Sequence, residues 1–165
     1  MLEYLDGNAQ LITLRVNTLK STVDEVMARL NENGIKCVHT SESPFGVRLL
    51  SNVDIPTLEA TLGDTVFIED EASQIAICAL DVCEGMTVVD VCAAPGGKSI
   101  SAGIEMKNSG VIYSYDLHES KIGLISKSAE KMGIDIIKPS VRNGKLPVEG
   151  DMIGIADRVI CDVPC

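Results

Sequence analysis

Along residues 11–16 (Leu-Ile-Thr-Leu-Arg-Val) apolar side chains recur with the two-residue period of a half-buried strand. Ser21 or Thr22 then offers an N-cap, Val23, Val26, Met27 and Leu30 repeat at helical spacing, and Gly34 offers a stop. Two short strands are predicted at residues 35–39 and 47–50, separated by the turn Ser43-Pro44-Phe45-Gly46. Residues 52–64, which contain Pro56 and Gly63, read as a loop with at most a short helical turn, and a strand follows at residues 65–68. The acidic run Glu69-Asp70-Glu71 precedes an apolar helix over residues 72–81, where negative charge suits a helix N-terminus.

The second half has a different rhythm. Strands are predicted at residues 87–91, 111–115, 136–140 and 158–161, with helices between them at 98–106 and 118–132. Strands alternating with helices imply a parallel sheet whose ligand sites lie at the carboxyl ends of the strands. The chain is therefore expected to be α/β. A small α+β subdomain over residues 1–68 precedes the start of a larger α/β domain over residues 69–165.

Composition narrows the setting. With 45% hydrophobic and 23% charged residues, the chain can build a packed core. No apolar run approaches the roughly 20 residues that span a bilayer. The start Met1-Leu2-Glu3-Tyr4-Leu5-Asp6 has neither the basic beginning nor the apolar centre of a signal peptide. A cytoplasmic protein is expected, and its six cysteines read as thiols. Cys161 and Cys165 enclose Asp-Val-Pro and have no second Cys/His pair near them, so no metal is expected. Fourteen basic against 24 acidic residues give a net charge of −10, which argues against a broadly basic nucleic-acid face but leaves room for a local patch.

The candidate chemistry sits at residues 88–99, where the apolar strand Val88-Val89-Asp90-Val91 runs into Cys92-Ala93-Ala94-Pro95-Gly96-Gly97-Lys98-Ser99. Small residues let a ligand approach the backbone, and the first amides of a helix favour anionic or polar groups. The phosphate loop of ATPases fits poorly, because Cys92 stands where its first glycine belongs. Asp116 ends the next strand, 19 residues after Gly97, close to the spacing of about 20 at which an acid meets a ribose hydroxyl. An N-cap for the following helix is the other role open to it. Together the two features imply a nucleoside-containing cofactor. Spacing alone does not separate NAD from S-adenosylmethionine.

The segment from Asp90 to Lys98 resembles the first motif of the RNA 5-methylcytosine methyltransferases, the RsmB/Sun family. Further stretches agree in order. Leu14-Arg15-Val16-Asn17-Thr18 resembles the entry to the family's small RNA-binding subdomain. Glu69-Asp70-Glu71-Ala72-Ser73-Gln74 resembles its Q-[DE]-x-[SA]-S/A segment. Asp116, Lys121 and Met132-Gly133-Ile134 resemble the second motif, and Asp162-Val163-Pro164-Cys165 resembles Asp-x-Pro-Cys. Within the family the chain looks most like the bacterial small-subunit ribosomal RNA enzymes.

The resemblance implies a partial Rossmann-like methyltransferase sheet of about four parallel strands. It also implies S-adenosylmethionine as cofactor and ribosomal RNA as partner. Cys92, Ala93, Ala94, Pro95, Gly96, Gly97 and Lys98 would wrap the methionine and ribose parts, and Asp116 would hold the ribose hydroxyls. Asn143 stands where the family usually has an aspartate near the adenine, and Asp162 would line the junction of cofactor and cytosine. Cys165 matches the catalytic cysteine that helps break the covalent adduct, not the nucleophile. The nucleophile belongs to a later motif that none of the other five cysteines matches, so an inactive fragment of a longer enzyme is expected. Two rivals remain. An NAD-dependent oxidoreductase lacks any catalytic Tyr/Lys or His/Asp signature here, and a non-catalytic RNA-binding module would show itself in gel shifts of residues 1–80.

Overall fold

The computed structural model describes residues 11–147 and 150–163. Strand β1 (Thr13–Val16) leads to helix α1 (Val23–Glu32), strands β2 (Cys37–His39) and β3 (Gly46–Leu49), helix α2 (Ile55–Leu62) and strand β4 (Val66–Ile68). These strands form an antiparallel sheet in the order β2-β3-β1-β4, with Leu14 opposite Val47 and Ile68. Leu14 and Val16 share one face of β1 and pack with Val26 and Leu30 of α1 and Leu58 and Leu62 of α2. Thr22 caps α1 in a capping box: Glu25 N donates to the Thr22 hydroxyl and Thr22 N donates to the Glu25 carboxylate.

Helix α2 corrects the loop expected over residues 52–64. Asp54 caps it by accepting from Thr57 N at 2.9 Å. Pro56 falls in the first turn, where no intrahelical N–H is needed, and so it starts the helix rather than breaking it.

The second layer begins with α3 (Glu71–Leu80) and continues through β5 (Thr87–Asp90), α4 (Gly97–Glu105), β6 (Val111–Asp116), α5 (Glu119–Met132), β7 (Ile137–Val141) and β8 (Arg158–Ile160). All four strands are parallel, in the order β7-β6-β5-β8. Val88, Ile112, Ile137 and Ile160 of the sheet pack against Ile100 and Ile104 of α4 and Ile125 and Met132 of α5. Burying each such side chain stabilises the fold by about 1.5–3 kcal/mol. No helix among the described residues is long and apolar enough to cross a membrane.

The three consecutive acids before α3 diverge. Only Asp70 caps the helix, accepting from Ser73 N at 2.9 Å. Glu71 turns back to Arg48 and to the backbone N–H groups of Glu42 and Ser43, and Glu69 is buried between the two sheets.

Candidate functional site

The parallel strands end side by side at Asp90, Asp116, Val141 and Ile160, and the loop after β5 crosses these ends before entering α4. Ala93 N donates to Tyr115 O at 2.7 Å and so fastens the loop to the end of β6. Gly96 turns the chain into α4 with φ +113°, a left-handed value that a side chain rarely adopts, and no side chain caps the helix. The first amides of α4 thus carry no side-chain cap among the described residues, and such amides favour anionic or polar groups.

This loop floors a cleft of about 670 Å³. Cys92, Ala93, Ala94, Pro95, Gly97 and Lys98 line it, as does Asp162 after β8. The small sheet supplies the facing wall through Ile12, Thr13 and Ile68. Lys98 spans the opening: its Nζ donates to Ser73 Oγ at 2.9 Å and lies 2.7 Å from Asp162 Oδ2.

Asp116, Asn143 and Gly96 are not among the residues lining the cleft. Asp116 lies beside it, joined through the neighbouring Tyr115 to the loop, and is only 2% exposed. Its Oδ1 accepts from His118 N at 3.1 Å, while Oδ2 has no hydrogen-bond partner among the described residues. Lys121 Nζ stands 3.7 Å from that oxygen. Arg142 N donates to Asp116 O at 2.9 Å, which brings the turn carrying Asn143 alongside. The Asn143 side chain accepts from Lys145 N within its own turn. Gly96 is buried against Ile125 of α5. Cys165 lies outside the described residues.

Three acids of the cleft, Asp90, Glu69 and Asp70, were missed as site residues in the sequence. Asp90 is buried at the end of β5, accepting from Ser99 Oγ at 2.8 Å and, more weakly, from Cys92 N. Burial pushes its carboxyl up to about 6, and the negative charge of Asp162 pushes in the same direction, against the hydrogen bonds and the Lys98 charge. Glu69 accepts from Ser101 Oγ at 2.6 Å, and burial holds its carboxyl above the usual range. The signal for Asp90 was its place at the end of an apolar strand and the start of the resembled motif; for Glu69 it was the acidic run and the family segment that the run opens. With Asp162, these three give the cleft four carboxyl groups against the single ammonium of Lys98, an electrostatic setting for a ligand with cationic groups.

Among the described residues the five cysteines are free thiols, and no group of three or more His, Cys, Asp or Glu is placed to hold a metal. His39 Nε2 lies 3.8 Å from Asp24 Oδ1 on the surface.

Residues 77–165 match the family described as 16S rRNA methyltransferase RsmB/F. The chain belongs to that family. Residues 6–56 match the ferredoxin-like domain of RsmF/B-like methyltransferases, the region of the small antiparallel sheet. A probable ribosomal RNA small subunit methyltransferase B from Bacillus subtilis is 35% identical over 93% of this RsmB/F chain and 34% of its own length. A mouse 28S rRNA (cytosine-C(5))-methyltransferase is 28% identical over the whole chain and 21% of its own. The crystal structure of PH0851, 34% identical, superposes with a TM-score of 0.87 over 97% of this chain and 36% of that one. The RsmB/F chain thus spans about a third of the Bacillus relative, at 34%. The likeness covers both layers: a partial Rossmann-like methyltransferase sheet preceded by a small α+β unit.

Proposed function

We propose that this chain is the cofactor-binding and RNA-facing part of a cytoplasmic enzyme that methylates carbon 5 of a cytosine in ribosomal RNA, with S-adenosylmethionine as methyl donor. The observation that carries the reading is Asp116: a buried carboxylate at the end of β6 with one oxygen lacking a hydrogen-bond partner among the described residues, beside a glycine-rich loop and a helix with no side-chain cap. A ribose diol would satisfy that oxygen, and the acidic cleft next to it suits the two cationic groups of the cofactor.

The loop from Cys92 to Gly97, with Lys98, would hold the methionine and ribose parts, and Asn143 would meet the adenine. The bound cofactor supplies an electrophilic methyl group on a sulfonium. Asp162 would stand between it and the target cytosine, its charge partnered by Lys98, and Cys165 would act after methyl transfer, when the covalent adduct is broken. The motif of the nucleophilic cysteine does not occur among these residues, so turnover is assigned to the longer protein. Relatives named as ribosomal RNA methyltransferases support RNA as the partner, small-subunit RNA in the Bacillus case. Binding of S-adenosylmethionine by this chain, and its loss in Asp116→Asn, tests the reading.

A further inference from the structure

Two buried charged side chains between the two sheets, Arg15 and Glu69, and the half-buried Glu105 have no individual role in the scheme above. Arg15 on β1 is fully buried, with its guanidinium 4.8 Å from the centre of the Phe45 ring. Its Nη2 donates to Glu105 Oε1 at 2.9 Å, and its Nε lies 4.0 Å from Glu69 Oε2. That same Glu69 oxygen accepts from Ser101, so it is already occupied.

The other oxygen is not. Glu69 is 7% exposed, yet its Oε1 has no hydrogen-bond partner among the described residues. It points at the first turn of α4, where a Cβ built on Gly97 would come within 3.2 Å of it, and both residues line the cleft. The other three carboxyl groups of the cleft already hold donors: Asp70 holds Ser73, Asp90 holds Ser99, and Asp162 holds Lys98. Glu69 is thus a carboxyl of the cleft with a buried oxygen left over.

We propose that Glu69 completes the cofactor site from the small sheet: its free Oε1 receives the α-ammonium of the methionine part, whose carboxylate lies on the uncapped amides of α4. The inference rests on the S-adenosylmethionine assignment. An amino-acid group carries its carboxylate and ammonium on one carbon, so its site needs donors on one side and an anion close by on the other. The first turn of α4 and Glu69 provide this pair, and glycine at 97 keeps a side chain from crowding Oε1, which a Cβ there would meet at 3.2 Å. The family segment that Glu69-Asp70-Glu71 resembles begins with glutamine, so the charge here belongs to this chain rather than to the pattern. Burial without a full set of partners holds the Glu69 carboxyl above its usual range, and an incoming cation favours its ionised form. Arg15 and Ser101 act as positioning residues that turn Oε2 away and leave Oε1 to the cleft.

The test is calorimetric titration of the full chain and of Glu69→Gln, which keeps the shape and the acceptor for Ser101. Three probes are used: S-adenosylmethionine, S-adenosylhomocysteine, and 5′-methylthioadenosine, which lacks the amino-acid part. The substitution is expected to weaken the first two by about tenfold, the difference between a charged and a neutral hydrogen-bond partner, and to leave the third unchanged. Glu69→Asp, which keeps the charge but withdraws the oxygen, is expected to show the same split with a smaller loss, and it serves if the glutamine variant does not fold. Equal weakening of all three probes, loss confined to S-adenosylmethionine, or no loss at all would overturn the inference. Wild-type chain that binds none of the three would overturn the cofactor assignment itself, and this inference with it.

Discussion

Arg15 Nη2 on β1 meets Glu105 Oε1 at the C-terminal end of α4, 2.9 Å away and across 90 residues of sequence. The contact ties the small sheet to the helix whose first turn opens the cleft, and its geometry is costly: Arg15 Nε and Nη1 are buried without hydrogen-bond partners among the described residues. Removing one partner of a buried ion pair typically costs about 3–5 kcal/mol, because the other charge is left unpaired. Arg15→Ala is expected to destabilise by that order in urea unfolding, and Arg15→Met by less, since it keeps the apolar stem. A loss under about 1 kcal/mol, the level of an exposed ion pair, would show that the two sheets are not joined here.

Asp90 makes the stability depend on pH. Its carboxyl is raised from 3.8 to about 6, so the folded state holds the proton more tightly than the unfolded chain does. Stability should therefore fall as pH rises from about 4 to about 6 and level off above, by at most about 3 kcal/mol from this group. In Asp90→Asn, which still accepts from Ser99, that fall is expected to disappear. Denaturant midpoints of both proteins between pH 4 and pH 7, with this slope present in both, would contradict the assignment.

Gly103 in α4 lies where a Cβ would come within 2.5 Å of Ile134 Cγ2. Glycine to alanine in a helix normally stabilises by about 1 kcal/mol, whereas overpacking a core costs about 1–3 kcal/mol. Overpacking should win at this position. Gly103→Ala is expected to lower the thermal midpoint, and combining it with Ile134→Ala should cost less than the sum of the two changes. A stabilised Gly103→Ala variant would mean that α4 sits further from Ile134 than described.

Much of the fold was legible because local signals agreed with packing. The two-residue period of β1, the Thr22 cap of α1 and the strand–helix alternation from Thr87 onward each specify an element from neighbouring residues. Helix α2 was hidden because Pro56 and Gly63 are loop residues in isolation, and only the Asp54 cap with the buried pair Leu58 and Leu62 makes them its two ends. Within the site, the loop from Cys92 to Lys98 was readable as a motif, and its meeting with Asp162 followed from the parallel topology. The Arg15, Glu69, Ser101 and Glu105 cluster was not readable. Its members come from β1, α4 and the loop after β4, and the adjacent acids Glu69, Asp70 and Glu71 look equivalent until packing sends them to different partners.

The central claim is that the ends of β5 and β6 hold S-adenosylmethionine, with Asp116 on its ribose. The most direct measurement is a calorimetric titration of the chain with S-adenosylmethionine and, separately, with NADH, repeated on Asp116→Asn. The account predicts binding of S-adenosylmethionine, no binding of NADH, and a loss of roughly tenfold to a hundredfold in the variant, as expected for hydrogen bonds to an ionised partner. Binding of NADH in place of S-adenosylmethionine, or an Asp116→Asn variant that binds S-adenosylmethionine as tightly as the wild type, would contradict it.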